Sequence, residues 1–291
     1  MLKAEISSQG LNDREFSVKK PKDVYRIAVV GDSVSFGWKV KPKESFPKII
    51  EDILNKREER KYEVINFSVP GYNTAQEYEL IKKKVLKFEP DAVLLVYCGN
   101  DMNLCNFIQP KLTPMNFLYV KSFYIHKLLR KFDRKFRVDK KEEKLVDKAW
   151  PWFKKNILGM YYYKKRIYNS PGLEVASTIN CNPPGTREMV PKRYWYMLGP
   201  ERYEETLSKI SSMLQAKDVR LISSGWITDL GTVFNKRAGI EEIYSFNEIF
   251  DDEEIYKSKY VLSEKDTHLN PDGHDLIAEY LYKKIMAVTK Q

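Results

Sequence analysis

The chain has 291 residues, 43% of them hydrophobic and 31% charged, with a mean hydropathy of −0.52 and a net charge of +10. That composition suits one large globular domain or two small ones and excludes a chain disordered throughout. No run of about 18 apolar residues occurs, so a membrane-spanning helix is not expected. Three cysteines, Cys98, Cys105 and Cys181, fit neither a disulfide framework nor a zinc signature.

The first 25 residues are charged throughout and carry no apolar signal region. The default expectation is a cytoplasmic protein, or an extracytoplasmic or membrane-associated one where an N-terminal anchor has been removed. Residues 25–30, YRIAVV, then form a candidate buried strand that ends at Gly31. Residues 45–57 place apolar side chains at 46, 49, 50, 53 and 54, which is helical spacing. Residues 62–67 form a second short strand, and 75–88 return to helical spacing. Residues 91–97, DAVLLVY, are apolar without a break, as in a strand covered on both faces. Strand, helix, strand, helix, strand over so short a stretch predicts a parallel sheet with crossover helices.

The alternation stops between about 103 and 205. Within that stretch, residues 111–168 hold 17 Lys and Arg against 5 Asp and Glu, a local balance of +12, while the rest of the chain sums to −2. The segment is also aromatic, with Tyr161-Tyr162-Tyr163 and Trp150-Pro151-Trp152. It reads as an insertion, about 106–205, in a single core made of residues 10–105 and 206–291. A solvated cap is the plain account of it. Contact with an anionic membrane surface or anionic ligand is the alternative, and nucleic acid ranks last because no reader motif is present. The core resumes with an apolar run from Val219 to Trp226. A last helix starts at Pro271, behind Asn270 as cap, with Leu276, Ile277, Tyr280, Leu281 and Ile285 on one stripe.

Four loops hold the candidate chemistry. Gly31-Asp32-Ser33 follows the first strand and puts a hydroxyl and a backbone N–H on a tight turn, where open α/β sheets bind ligands. Gly71 follows the second strand in a loop that permits close backbone approach. Gly99-Asn100-Asp101 follows the third, and the Asn100 amide is a donor suited to an oxyanion. Asp266-Thr267-His268 precedes the last helix, and a His two residues from a carboxylate suits a general base of fixed tautomer. Taken singly, each is also an ordinary turn. Together, three lie at the carboxyl ends of successive strands and the fourth beside them, on one edge of one sheet. Asp32 is expected to brace its turn, Asp101 to anchor its loop, and His126 and His274 to pack or cap.

The order of these blocks resembles the SGNH family, also called GDSL-type esterases and lipases. RIAVVGDSVSFGWKV, NFSVPGYNTAQEYELI, PDAVLLVYCGND and DTHLNPDGHDLIAEYL are similar to its blocks, and its four name residues match Ser33, Gly71, Asn100 and His268. The resemblance covers about 10–105 and 215–290. It implies a three-layer α/β/α fold and serine-dependent acyl chemistry. Ser33 would be the nucleophile, His268 the base and Asp266 its orienting acid. The Ser33 and Gly71 N–H groups and the Asn100 side chain would form the oxyanion hole. Two features depart from common forms: the acid stands two residues before the His rather than three, where Lys265 lies, and Gly99 abuts Asn100 directly. Glu264 is the lesser candidate for the acid.

The GxSxG elbow of α/β-hydrolases is absent around Ser33, and so are GxGxxG and Walker A patterns after the first strand. The expected activity is hydrolysis of an acyl ester, a carbohydrate O-acyl group or a lipid ester, with no metal or organic cofactor. Acyl or acetyl transfer on the same scaffold is the alternative, as is a non-catalytic module recruited to an anionic surface.

Overall fold

The computed structural model describes residues 6–102, 192–197, 199–264 and 266–289. The chain divides into one unit of residues 1–106 with 196–291 and another of 107–195. The basic segment 111–168, His126, Cys105 and Cys181 lie outside the described residues.

Five strands build the main sheet: β1 (Val24–Gly31), β2 (Lys61–Asn66), β3 (Ala92–Tyr97), β4 (Arg220–Gly225) and β5 (Glu242–Ser245). All are parallel, in the order β2-β1-β3-β4-β5. The helices are α1 (Ser33–Phe36), α2 (Phe46–Arg57), α3 (Thr74–Lys83), α4 (Pro200–Gln215), α5 (Asp229–Arg237) and α6 (Pro271–Thr289). A short antiparallel pair, β6 (Val261–Ser263) and β7 (Asp266–Leu269), precedes α6.

Side chains of β1 and β3 alternate between two cores, which is why their sequences are apolar without alternation. Ile27, Val29, Leu94 and Val96 pack with Ile50 and Leu54 of α2 and Ile277, Leu281 and Ile285 of α6. Ala28, Val30, Val93 and Leu95 pack on the other face with Ile81 of α3 and Tyr203, Leu207, Ile210 and Leu214 of α4. The result is the three-layer α/β/α architecture with a parallel sheet.

Two elements differ from the sequence pattern. The helix expected over 75–88 ends at Lys83, and Val85–Phe88 form a separate 3₁₀ turn. Glu89 then takes a left-handed φ of 51° ahead of Pro90, which disfavours a helical residue before it. α4 also starts at Pro200, earlier than the resumption expected near 206. Gly199 precedes a proline at the first helical position, an arrangement that starts helices. Its aromatic and charged residues blend with the text of the insertion, which hid the buried stripe Tyr203, Leu207, Ile210 and Leu214. Gly199 N–H donates to the Met102 carbonyl at 2.9 Å, so the chain on the two sides of residues 103–198 meets.

Candidate active site

The strand order reverses between β1 and β3: from β1 the chain moves outward to β2, then back across to β3. Crevices form beyond the carboxyl ends of the strands at such a switch point. Ser33 follows β1 and Asn100 follows β3, so the topology sets them on either side of it.

The turn after β1 is held from several directions. Asp32 caps α1, its Oδ1 accepting from Val34 N–H at 3.0 Å. Gly31 has no room for a side chain, since a Cβ would lie 2.9 Å from the Val96 carbonyl oxygen of β3. Burial pushes the Asp32 carboxyl up, against hydrogen bonds from Val34 and Asn100 and the charge of His268.

Beyond β2 the chain keeps pairing with β1. Phe67 N–H donates to Val29 O at 2.9 Å and Val69 N–H to Gly31 O at 3.0 Å. Two residues later Gly71 turns the chain with a left-handed φ of 79°, which glycine adopts without strain. Asn100 Nδ2 donates to the Tyr72 carbonyl at 3.0 Å, tying the Gly71 and Asn100 loops together. Asn73 caps α3 by accepting from Gln76 N–H at 3.1 Å, with the Gln76 side chain returning a bond to Asn73 N–H. A capping box of this kind is worth about 1 kcal/mol.

The fourth loop reaches the same edge from β7. His268 Nε2 lies 2.8 Å from Ser33 Oγ, and His268 Nδ1 lies 2.6 Å from Asp266 Oδ1. The Lys39 ammonium takes the other Asp266 oxygen, Oδ2. Partial burial works to raise the Asp266 carboxyl, but bonds from Lys39 and His268 outweigh it and hold it at about 2. The carboxylate is therefore ionised at neutral pH. Trp38 sets its ring 6.0 Å from the His268 ring, and Tyr256 Oη donates to the Thr267 carbonyl at 2.9 Å. Glu264 lies exposed in the turn between β6 and β7.

The sequence-predicted residues thus fall into two sets. Ser33, His268 and Asp266 form one line of hydrogen bonds. Gly71 and Asn100 lie beside it in loops joined to each other. Lys39 and Trp38 were not singled out from the sequence. Lys39 has a left-handed φ of 62°, and its partner is 227 positions away, so no local pattern reveals it. Asp101 anchors its loop by accepting from Cys98 N–H at 2.7 Å. His274 is buried, accepts at Nδ1 from Phe46 N–H at 3.3 Å, and is pushed down to about 4 by burial. Among the described residues no cluster of His, Cys, Asp and Glu forms a metal site, and no helix is long and apolar enough to cross a membrane.

A hydroxyl, an imidazole and a carboxylate in line at the edge of a parallel sheet suit acyl-group chemistry rather than nucleotide binding. The chain belongs to the GDSL-like lipase/acylhydrolase family, whose model matches residues 27–281, and it is accordingly a hydrolase of ester bonds. No curated protein sequence matches it. Its fold is similar to that of TesA, with 10% identity, coverage of 89% of this chain and 97% of that one, and a TM-score of 0.50. It is similar also to that of the psychrotrophic esterase EstA from Pseudoalteromonas sp., at 12% identity, with coverage of 91% and 99% and a TM-score of 0.50.

Proposed function

We propose that the protein hydrolyses acyl esters by a two-step serine mechanism centred on Ser33, with a carbohydrate O-acyl group or a lipid ester as the substrate class. The observation that carries this reading is the unbroken line Ser33 Oγ, His268 Nε2, His268 Nδ1, Asp266 Oδ1, with contacts of 2.8 and 2.6 Å.

In the first step Ser33 Oγ gives its proton to His268 Nε2 as it bonds to the ester carbonyl carbon. Negative charge gathers on the carbonyl oxygen, where the Ser33 and Gly71 N–H groups and the Asn100 amide act as donors. Collapse breaks the bond to the alcohol oxygen, which leaves with the proton from Nε2. Water then attacks the acyl-serine by the same route and frees the acid. Asp266, ionised and braced by Lys39, holds the Nδ1–H tautomer and stabilises the imidazolium between steps.

The test is a fluorophosphonate probe together with p-nitrophenyl esters of graded chain length. EstA, which shares the fold, has been solved inhibited by monoethylphosphonate, and phosphorus reagents mimic the tetrahedral intermediate. The expected outcome is one label, on Ser33, with turnover lost in Ser33→Ala by up to roughly a million-fold. Ester hydrolysis above about a tenth of wild type in that variant would reject the mechanism. Labelling without hydrolysis, but with acyl transfer to an added alcohol, would move the assignment to a transferase.

A further inference from the structure

Next to Asn100 in the sequence and on α3 stand two acidic side chains, Asp101 and Glu77, that the mechanism does not use. Asp101 is 2% exposed and Glu77 is 1% exposed. Their placement follows from α3. Thr74, at the first turn of that helix, donates its N–H to the Asp101 carbonyl at 3.4 Å and its hydroxyl to the Asp101 carboxylate. The Asp101 anion therefore sits at the positive end of the helix. Glu77 is three residues on from Thr74, on the same helix face, which brings its carboxyl to the one already docked there. Consistent with this, Asp101 is the strongest charge acting on Glu77.

Donors are distributed unequally between the two. Asp101 Oδ2 accepts from Cys98 N–H at 2.7 Å, and Thr74 adds a second donor to the carboxylate. Asp101 Oδ1 and Glu77 Oε1 are both buried, and neither has a hydrogen-bond partner among the described residues. Two ionised carboxylates in this setting would leave two charges and two acceptors uncompensated, which burial strongly disfavours. One proton placed between them removes both problems, as in other carboxylate pairs that share a buried site. Burial pushes both carboxyls well up, and the proton belongs on Glu77, because the bonds from Cys98 and Thr74 favour the ionised form of Asp101 while Glu77 has no such donor among the described residues. Among the described residues, the other groups that face the pair are Cys98 and Tyr97 of the β3 end, Asp32 after β1 and Tyr203 of α4. None of them is a cation.

The geometry points to a proton held between Glu77 and Asp101, with the neutral Glu77 carboxyl donating to Asp101 Oδ1 and so fixing the loop that presents Asn100. That makes Glu77 a positioning residue for the oxyanion donor, an assignment that rests on the mechanism proposed above. The turn it secures is short: Asp101 N–H donates to Cys98 O at 3.0 Å, and Asn100 stands between them. When the bridging proton is lost, Asp101 repels Glu77 instead of accepting from it, and the Asn100 amide loses its fixed aim.

The experiment compares Glu77→Ala and Glu77→Gln with the full-length wild-type chain. Glu77→Ala is expected to lower kcat by roughly 10- to 100-fold with KM little changed, short of or equal to deletion of an oxyanion donor. Glu77→Gln, whose amide still donates, is expected to restore most of that loss. A second readout is thermal stability against pH, which needs no activity. A carboxyl that holds its proton more tightly when folded contributes stability that is fully present below the ordinary carboxyl range and is lost as pH rises towards its folded pKa. The difference between wild type and Glu77→Gln should therefore change with pH, in favour of the variant at the alkaline end. A glutamine variant as damaged as the alanine one, or a stability difference independent of pH, would overturn the bridge. If Glu77→Ala does not fold, the glutamine stability series still decides. If the wild type hydrolyses no ester, the functional reading fails alone, and the stability series still reports the proton.

Discussion

The two halves of the site are built by different means. Ser33, Gly71 and Asn100 stand on turns that continue the central sheet, with backbone bonds from Val69 to Gly31 and buried anchors at Asp32 and Asp101. Asp266 and His268 stand on β7, one strand of a two-stranded pair outside that sheet. Their side chains are 19% and 33% exposed, and distant segments hold them: Lys39 on the carboxylate, Trp38 against the imidazole, Tyr256 on the intervening carbonyl. Rigidity in the first half comes with the fold. In the second it comes from side chains that can be removed one at a time.

The largest expected effect in the second half comes from Asp266→Asn. Loss of the carboxylate leaves His268 in the wrong tautomer, and kcat should fall by up to roughly 10⁴-fold while the fold persists. Glu264→Gln, measured beside it, should be silent. Comparable losses in both would move the acid to Glu264. In the first half, Asn100→Ala should lower kcat by roughly 100- to 1,000-fold at nearly constant KM. A rise in KM alone would make Asn100 a substrate contact and not a donor to the transition state.

The smallest effect sharpens the contrast most. Lys39→Met leaves the line Ser33, His268, Asp266 intact and removes only the outer brace. An exposed ion pair of this kind is worth about 0.2–1 kcal/mol, so kcat/KM should fall by no more than about fivefold, and less in high salt. Its pH signature has a definite sign. With Asp266 held at about 2 against an ordinary 3.8, its contribution to stability is present above about pH 4 and is lost as pH falls towards 2. Lys39→Met should shift that loss to higher pH, as acid unfolding curves would show. A drop in activity as large as that of Asp266→Asn would mean that the hairpin has no rigidity of its own.

The same contrast explains what the sequence revealed. Ser33, Gly71 and Asn100 could be located because unbroken apolar runs mark parallel strands, and parallel strands end together on one edge. β5 was not visible: four residues, EIYS, all half-buried at the sheet edge, carry no period. α4 was hidden by its resemblance in composition to the insertion before it. Lys39 and Trp38 act across the fold on residues more than 200 positions away, and nothing local encodes that. Glu77 did leave a trace. It falls on the 77, 81, 85 line of the spacing read over 75–88, an acid in line with the buried Ile81 and Val85.

The hydrogen bond from Gly199 to Met102 has a consequence for chain length. Met102 and Gly199 bracket residues 103–198 and are joined by that bond, two positions past Asn100. Lengthening a loop between fixed ends costs little, about 0.6 kcal/mol for each doubling. The sheet therefore registers only that the ends meet, not what lies between them. Such a junction lets residues 103–198 change in length without disturbing the strand ends that carry Ser33 and Asn100.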